Sequence, residues 1–383
     1  RNLNLPWHAT ARVQSQLAGN VQPGNRLKVY LNGSIFFNGM IWAIEDDGDE
    51  NTVYTQFTAI DPMVLWPMRP ARDDTADFSK PTFLTDYVSG PQIMEGILTN
   101  SESNGGGSPP TFAEGPTFLT FAGTVETGGA DLSGAPVDWP MTIMDIFTML
   151  SDTGELDVVL APLDTTDGNM CSFNAYNGNY GVDRTGSVTL AYQTGSYNVR
   201  ALKRTQDMTT LCNKLWYYLG PRVLTSTDLA GDQHWRGSVT GDGYPDGNPN
   251  TKNPLPNPPG GDIDSSNPLG NLINASRTKY GVFMDIRVFD SDGTTGTADP
   301  LYARLWQTEE KLRINGRTMV NATPVRGTAP SFDIGDQVTV AAGSAFRGGF
   351  TGTQRIYGYT VEEDDDGVLG VTNIACSSDQ EQA

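Results

Sequence analysis

Histidine is nearly absent from this chain of 383 residues: His8 and His234 are the only two, and they lie in different regions. A serine or cysteine nucleophile therefore lacks its usual general base. Cysteine is as scarce. Cys171, Cys212 and Cys376 are odd in number and far apart, with neither a CxxC pair nor Cys/His ligand spacing. That argues against a disulfide framework or a zinc site and predicts three reduced, buried thiols. Bases are few, 25 Lys and Arg against 45 Asp and Glu, for a formal net charge of −20. Such a surface repels phosphate backbones and speaks against ordinary nucleic-acid binding. No apolar run approaches a membrane span and nothing resembles a signal peptide, so no stable membrane insertion and folding in a cytoplasm are expected. Phosphate-binding loops are missing as well. The run Gly105-Gly106-Gly107 precedes Ser108-Pro109-Pro110 and reads as a plain loop. No cofactor is expected.

What is abundant is turn chemistry. Gly numbers 43 and Pro 24, while charged residues are only 18%, a profile of short strands joined by tight turns rather than of a helical bundle. Residues 8–17 alternate as a half-buried strand. RLKVYL at 26–31 follows the turn Pro23-Gly24-Asn25. Asn32-Gly33 then predicts a type I′ hairpin, since both residues tolerate positive φ. The return strand Ser34 to Ile44 is apolar on both faces and should be covered on both sides. The acidic turn Glu45 to Glu50 leads into VYTQFTAI at 53–60.

From 73 to about 155 the pattern changes. A short helix begins near Pro91 and carries Ile93, Met94, Ile97 and Leu98; loops and short strands fill 100–136. A helix over 141–152 places Ile143, Ile146, Phe147 and Leu150 on one face, with Gly154 positioned to end it. Strands are expected at 156–163, 187–193 and 214–220, with a short helix between the last two that has Asp207 near its start. Further strands are expected at 280–290 and near 337–342, 354–362 and 368–376, with a helix at about 300–314. Trp42 and Trp216, in apolar strands, are expected in the core.

These features divide the chain into five stretches. Residues 1–66 form a first antiparallel barrel, open to completion by strands from later in the chain. Residues 67–155 are an inserted α+β region, 156–228 a β-rich domain, and 229–269 an exposed loop or linker rich in Gly, Pro and Asp. Residues 270–383 form a second barrel with a helix. The expected fold class is mainly β with minor helices, multi-domain, with two barrels plus inserted α+β domains. The two ends echo one another. Gly24-Asn25 before a strand, Phe36 and Phe37 in the return and Glu45 entering Asp47-Gly48 correspond to Gly335-Asp336, then Phe346 and Phe350, then Glu362 entering Asp366-Gly367. Any two antiparallel meanders share this outline, so duplication and coincidence both remain open.

The stretch from Pro23 to Trp66 resembles the N-terminal barrel of phage tail hub proteins, carried here by Gly24, Leu27 to Leu31, Phe36 to Gly39 and Asp61. Residues 332–374 resemble that family's C-terminal barrel, with Gly335-Asp336 before a strand, and 199–220 fits between them through Asp207 and Asn213. The resemblance covers about half the chain. It implies two tube-like barrels and a homotrimer whose six modules make a ring at the distal end of a tail, in the virion, after assembly in the bacterial cytoplasm. The implied partners are a distal tail protein or tail tube protein, the tape-measure protein and other minor tail proteins. DNA passes through the channel without specific binding. The implied role is that of a structural minor tail protein of the tail tip or baseplate hub, acting in DNA ejection, not an enzyme.

No catalytic residue is assigned. His8, beside Trp7, reads as a surface or packing residue; His234 and Trp235, at the edge of the exposed loop, are the candidate partner contact. The alternative function is a carbohydrate-binding or glycan-hydrolysing tail protein acting on the host surface. It needs a pair among carboxylates such as Glu155, Asp157, Asp285 and Glu309, which no local motif ties together. A receptor-binding adhesin is the third possibility. No metal ligand is assigned either: Asp242, Asp246 and Asp264 are loop acids, and Asp290-Ser291-Asp292-Gly293 opens like a calcium loop but has Leu301 where the bidentate Glu belongs. Glu362 to Asp366 before Gly367 reads as a solvated turn.

Overall fold

A computed structural model describes residues 2–48, 53–69, 71, 82–84, 89–103, 118–129, 135–137, 141–151, 156–166, 168–178, 180–195, 197–209, 211–212, 214–220, 235–238, 275–290, 317–325, 331–345, 348–363 and 369–378. The first unit comprises β1 (His8–Gln14), α1 (Ser15–Ala18), β2 (Arg26–Leu31), β3 (Ser34–Gly48) and β4 (Val53–Ile60). Its antiparallel sheet runs β1-β4-β3-β2. Asn32 at φ 51° and Gly33 at φ 81° make the expected hairpin turn. The strand expected over 8–17 stops at Gln14 and turns into α1. The reason lies in its partner: Gln14 pairs with Tyr54, and β4 begins one residue before, at Val53.

After β4, Asp61 caps a 3-10 helix (Pro62–Met68) by accepting the Met63 N–H, with Pro62 at the position where a missing N–H costs nothing. The inserted part contains β5 (Thr82–Leu84), α2 (Gly90–Ser103), β6 (Leu119–Thr120), β7 (Ala135–Val137), α3 (Ile143–Ser151), β8 (Asp157–Pro162) and β9 (Cys171–Tyr176). The helix α2 extends five residues past Leu98 to Ser103. Thr142 and Asp145 form a reciprocal capping box for α3, the Asp145 N–H donating to Thr142 Oγ1 (3.1 Å) and the Thr142 N–H to Asp145 Oδ2 (2.7 Å). Ile143, Ile146, Phe147 and Leu150 are buried as their spacing predicts. They pack with Ile93, Met94, Ile97 and Leu98 of α2, with Trp66, and with Phe173 of β9.

Next come β10 (Thr189–Tyr192), β11 (Val199–Asp207), β12 (Lys214–Gly220), β13 (Trp235–Ser238), β14 (Met284–Asp290), β15 (Arg317–Pro324), β16 (Gln337–Ala342), β17 (Phe350–Glu363) and β18 (Leu369–Ser377). Asp207, expected near the start of a short helix between 187–193 and 214–220, instead ends strand β11, and beyond it the Leu211 N–H donates to the Met208 carbonyl (3.0 Å). An antiparallel ladder with β15, from Asp207↔Arg317 to Val199↔Pro324, holds β11 as a strand. Within 229–269, Trp235–Ser238 pairs with β12. Residues 275–280 are helical. The helix expected at 300–314, Gly154 and most of the 229–269 span lie outside the described residues.

The second sheet runs β10-β16-β17-β18-β15-β11, with β10 and β16 parallel. It thus takes strands from both sides of residue 229. Both sheets are curled half-barrels, and the molecule is mainly β with minor helices. One apolar core joins them. Phe37, Ile41 and Phe57 of the first sheet belong to it together with Val320, Val338, Ile356 and Ile374 of the second. The strand β8 lies between the two cores: Val158 and Leu160 enter the inserted core, while Val159 enters the other. The strand β3 is covered on both sides as expected, but only over Phe37–Ile41. Trp42, expected in the core, is 40% exposed, where a bulge between Ile41 and Ala43 rotates the strand.

Candidate functional site

The echo read from the sequence is a structural repeat. Strands β1-β4-β3-β2 have the same order and antiparallel sense as β15-β18-β17-β16. The register fixes equivalent positions: Arg26 opposes Met40, which opposes Ile60, while Gln337 opposes Arg355, which opposes Ser377. The entry turns match bond for bond. The Gly24 N–H donates to the Ile41 carbonyl (2.8 Å) and the Ile41 N–H to the Asn25 carbonyl (2.8 Å). The Gly335 N–H donates to the Ile356 carbonyl (2.7 Å) and the Ile356 N–H to the Asp336 carbonyl (2.9 Å). Each turn is closed by its Asx side chain: Asn25 Oδ1 accepts the Gln22 N–H (2.9 Å), and Asp336 Oδ2 accepts the Asp333 N–H (2.9 Å). Both glycines have positive φ, 89° and 82°, which is why glycine stands there.

The copies differ in what surrounds them. At the second turn Asp336 also accepts the Val182 N–H (2.8 Å) and pairs with Arg184 (2.5 Å). Arg355 follows one register position away. Its guanidinium pairs with Asp157 at the head of β8 (2.6 Å) and donates to the carbonyls of Tyr180 (2.8 Å) and Gly335 (3.2 Å). Asp157 further accepts from Asn4 Nδ2 (3.1 Å) and the Tyr180 N–H (3.0 Å). The pair is buried, with 10% and 5% of the side chains exposed. One polar clasp therefore ties the N-terminal segment, β8, the 180–184 loop and the second module. The backbone fit is close: a Cβ at Gly335 would sit 2.3 Å from the Tyr180 carbonyl oxygen, whereas at Gly24 nothing lies within 4 Å.

In the first module, the edge strand β2 faces the 163–170 loop. Lys28 Nζ bonds Asp164 (2.9 Å) and the Thr165 carbonyl (2.9 Å), Tyr30 Oη donates to Asp164 (2.7 Å), and Arg26 donates to the Gly168 carbonyl. The bonds from Lys28 and Tyr30 hold the Asp164 carboxyl below its ordinary value. At the base of this module Asp61 is buried and accepts the N–H groups of Trp7 (2.8 Å) and Met63 (3.0 Å). Burial pushes its carboxyl up to about 7, against those bonds.

The sequence-derived candidates fall as follows. His8 opens β1 and is exposed; Trp7 beside it is buried, its indole N–H donating to the Asn2 carbonyl (2.6 Å). His234 lies outside the described residues, and of Trp235 only the backbone pairing with Leu219 is described. Asp157, weighed as half of a hydrolytic pair, is held in the ion pair with Arg355. Glu155, Glu309, Asp242, Asp246, Asp264 and the turn 364–368 lie outside the described residues, as do the side chains of Asp285 and Trp216. Among the described residues no three His, Cys, Asp or Glu side chains converge as a metal site. The three cysteines are buried thiols, as expected. Burial raises the Cys171 thiol well above its ordinary value and pushes Cys376 up to about 12. The clasp around Arg355 is the element that sequence reasoning missed.

No family model matches the chain, and no curated protein matches it. Solved structures do. The 43 kDa tail protein of prophage MuSo2 from Shewanella oneidensis is 14% identical, with a TM-score of 0.55 over 96% of this chain and 89% of that one. A prophage tail protein, gp18, from Listeria monocytogenes is 13% identical, with a TM-score of 0.51 over 100% of this chain and 87% of that one. The fold is that of these phage tail proteins.

Proposed function

We propose that this chain is a structural hub subunit of a bacteriophage tail tip, three copies of which form a ring that caps or extends the tail tube. The observation that carries the reading is the duplicated module. Two equivalent half-barrels per chain, times three chains, present six similar surfaces, which is what a threefold tip needs to meet a sixfold tube. The likeness of fold to phage tail proteins supports the same reading. In it the ring sits at the distal end of the tail, contacts a distal tail or tube protein and other minor tail proteins, and lets tape-measure protein and DNA pass during ejection. A net charge of −20 suits a wall that DNA slides past without sticking. The chain assembles in the host cytoplasm and performs no catalysis.

Mass measurement of the purified chain, followed by particle images along the symmetry axis, tests this. The expected result is a trimeric ring with six similar lobes around a channel. A monomer that stays monomeric at high concentration overturns the ring. Hydrolysis of host surface glycans by the purified chain overturns the non-catalytic reading.

A further inference from the structure

The repeat extends to a break in the ladder. Just past the equivalent residues Met40 and Arg355, a bulge falls at Trp42, between Ile41 and Ala43, and at Tyr357, between Ile356 and Gly358. The strands β2 and β16 do not reach this point, since their first residues Arg26 and Gln337 oppose Met40 and Arg355. Beyond the entry turns, β3 and β17 therefore have a ladder on one side only, with β4 and β18.

In the second module the other side is taken by the chain that leads into the first. Asn2 forms an antiparallel bridge with Gly358, the Leu3 N–H donates to the Tyr357 carbonyl (2.7 Å), and the Leu3 side chain is buried in the shared core. Tyr357 is half-buried there, and Gly358 and Tyr359 are buried. In the first module the same edge, Trp42 to Ile44, carries no strand or bridge among the described residues. Trp42 is exposed, and Ala43 and Ile44 are only half-buried. What fits this edge follows from the repeat. His8 and Met319 are equivalent, because His8 opposes Ile60 and Met319 opposes Ser377. In the sequence Leu3-Asn4 begins five residues before His8, and Ile314-Asn315 begins five before Met319. An apolar residue followed by asparagine thus leads into both modules at the same distance.

We propose, on the ring reading above, that the edge Trp42 to Ile44 receives the entry into the second module of a neighbouring copy, as Tyr357 to Tyr359 receive the entry into the first module within the chain. Six alternating modules have two kinds of seam, one inside each chain and one between chains, and equivalent modules make the second repeat the first. The contact adds backbone to an open strand edge, and Trp42 is its aromatic anchor. It joins unlike surfaces, second module to first, so it builds a ring where the rotation closes rather than stopping at a dimer.

The test reads mass in solution against concentration for the full chain. Trp42→Ala is expected to raise the concentration needed for assembly by roughly thirtyfold, the loss typical of a central aromatic anchor. Trp42 is 40% exposed in the single chain, so an unchanged urea midpoint below the assembly concentration serves as the folding control. A second measurement needs no variant. In wild type, amide exchange over Trp42 to Ile44 should slow on going from the dissociated to the assembled state. If wild type is trimeric and Trp42→Ala assembles as readily, or if these amides exchange equally in both states, this contact is wrong while the ring stands. If wild type never assembles, the ring reading falls and the contact with it.

Discussion

Asp157→Asn keeps the shape of the side chain at the head of β8 but removes the charge beneath Arg355. In the native structure Arg355 has the Asp157 carboxylate at 2.6 Å and two carbonyls to receive its other N–H groups. Both partners are nearly inaccessible to water, so solvent does not replace what the substitution removes. Breaking one side of a buried pair leaves an uncompensated charge, which costs about 3–5 kcal/mol. For an unfolding unit of 150–250 residues that corresponds to a fall of roughly 6–20 °C in Tm. Scanning calorimetry of the variant measures it. The double variant Asp157→Leu, Arg355→Met removes both charges and is expected to recover most of the loss, because a well-packed apolar pair does as well as a buried ionic one. A single variant within about 1 kcal/mol of wild type, or a double variant whose loss is the sum of the two singles, refutes the reasoning.

The paired glycines give a contrast within one molecule. Gly24→Ala suffers only the positive φ, about 1–2 kcal/mol, whereas Gly335→Ala also drives a Cβ into the Tyr180 carbonyl and should lose roughly 4 kcal/mol or more; urea midpoints of the two variants decide it. Asp61 has a folded-state value near 7 against an ordinary 3.8, so its contribution to stability is fully present below pH 4 and is lost as pH rises through 7. Asp61→Asn should flatten the decline in urea midpoint between pH 4 and 7, and an unaltered slope counts against burial as the cause. A thiol reagent should find no fast-reacting cysteine in the native chain and three per chain in denaturant; a rapid native reaction contradicts the burial of Cys171, Cys212 and Cys376.

The repeat was legible in the sequence because its determinants are local. A glycine at positive φ, an Asx residue closing the turn and a strand two residues on are close neighbours in the chain, and the same few bonds recur at Gly24 and Gly335. The helix α3 was legible for the same reason, its capping box and apolar face falling within one short segment. The clasp was not, because the partners of Asp157 stand 153, 23 and 198 positions away. Strand β9 carried a signal that was passed over: CSFNAY alternates, with Cys171, Phe173 and Ala175 inward. Strand β11 carried none, since VRALKRTQD has no regular apolar alternation and becomes a strand because β15 lies beside it. Trp42 was misplaced because a bulge shifts the alternation by one residue.

The register equivalence of Met40 and Arg355 has a mechanical consequence. At the same point of each module the inserted domain makes its attachment, through Met40 packed against its core in one and through the Asp157–Arg355 pair in the other. The insert therefore acts as a strut between two plates that already share one apolar core. One plate cannot swing against the other without withdrawing a side chain from an apolar socket or parting two buried charges. A chain built this way moves as a rigid sector. In the proposed ring, any widening or narrowing would therefore fall to the contacts between chains.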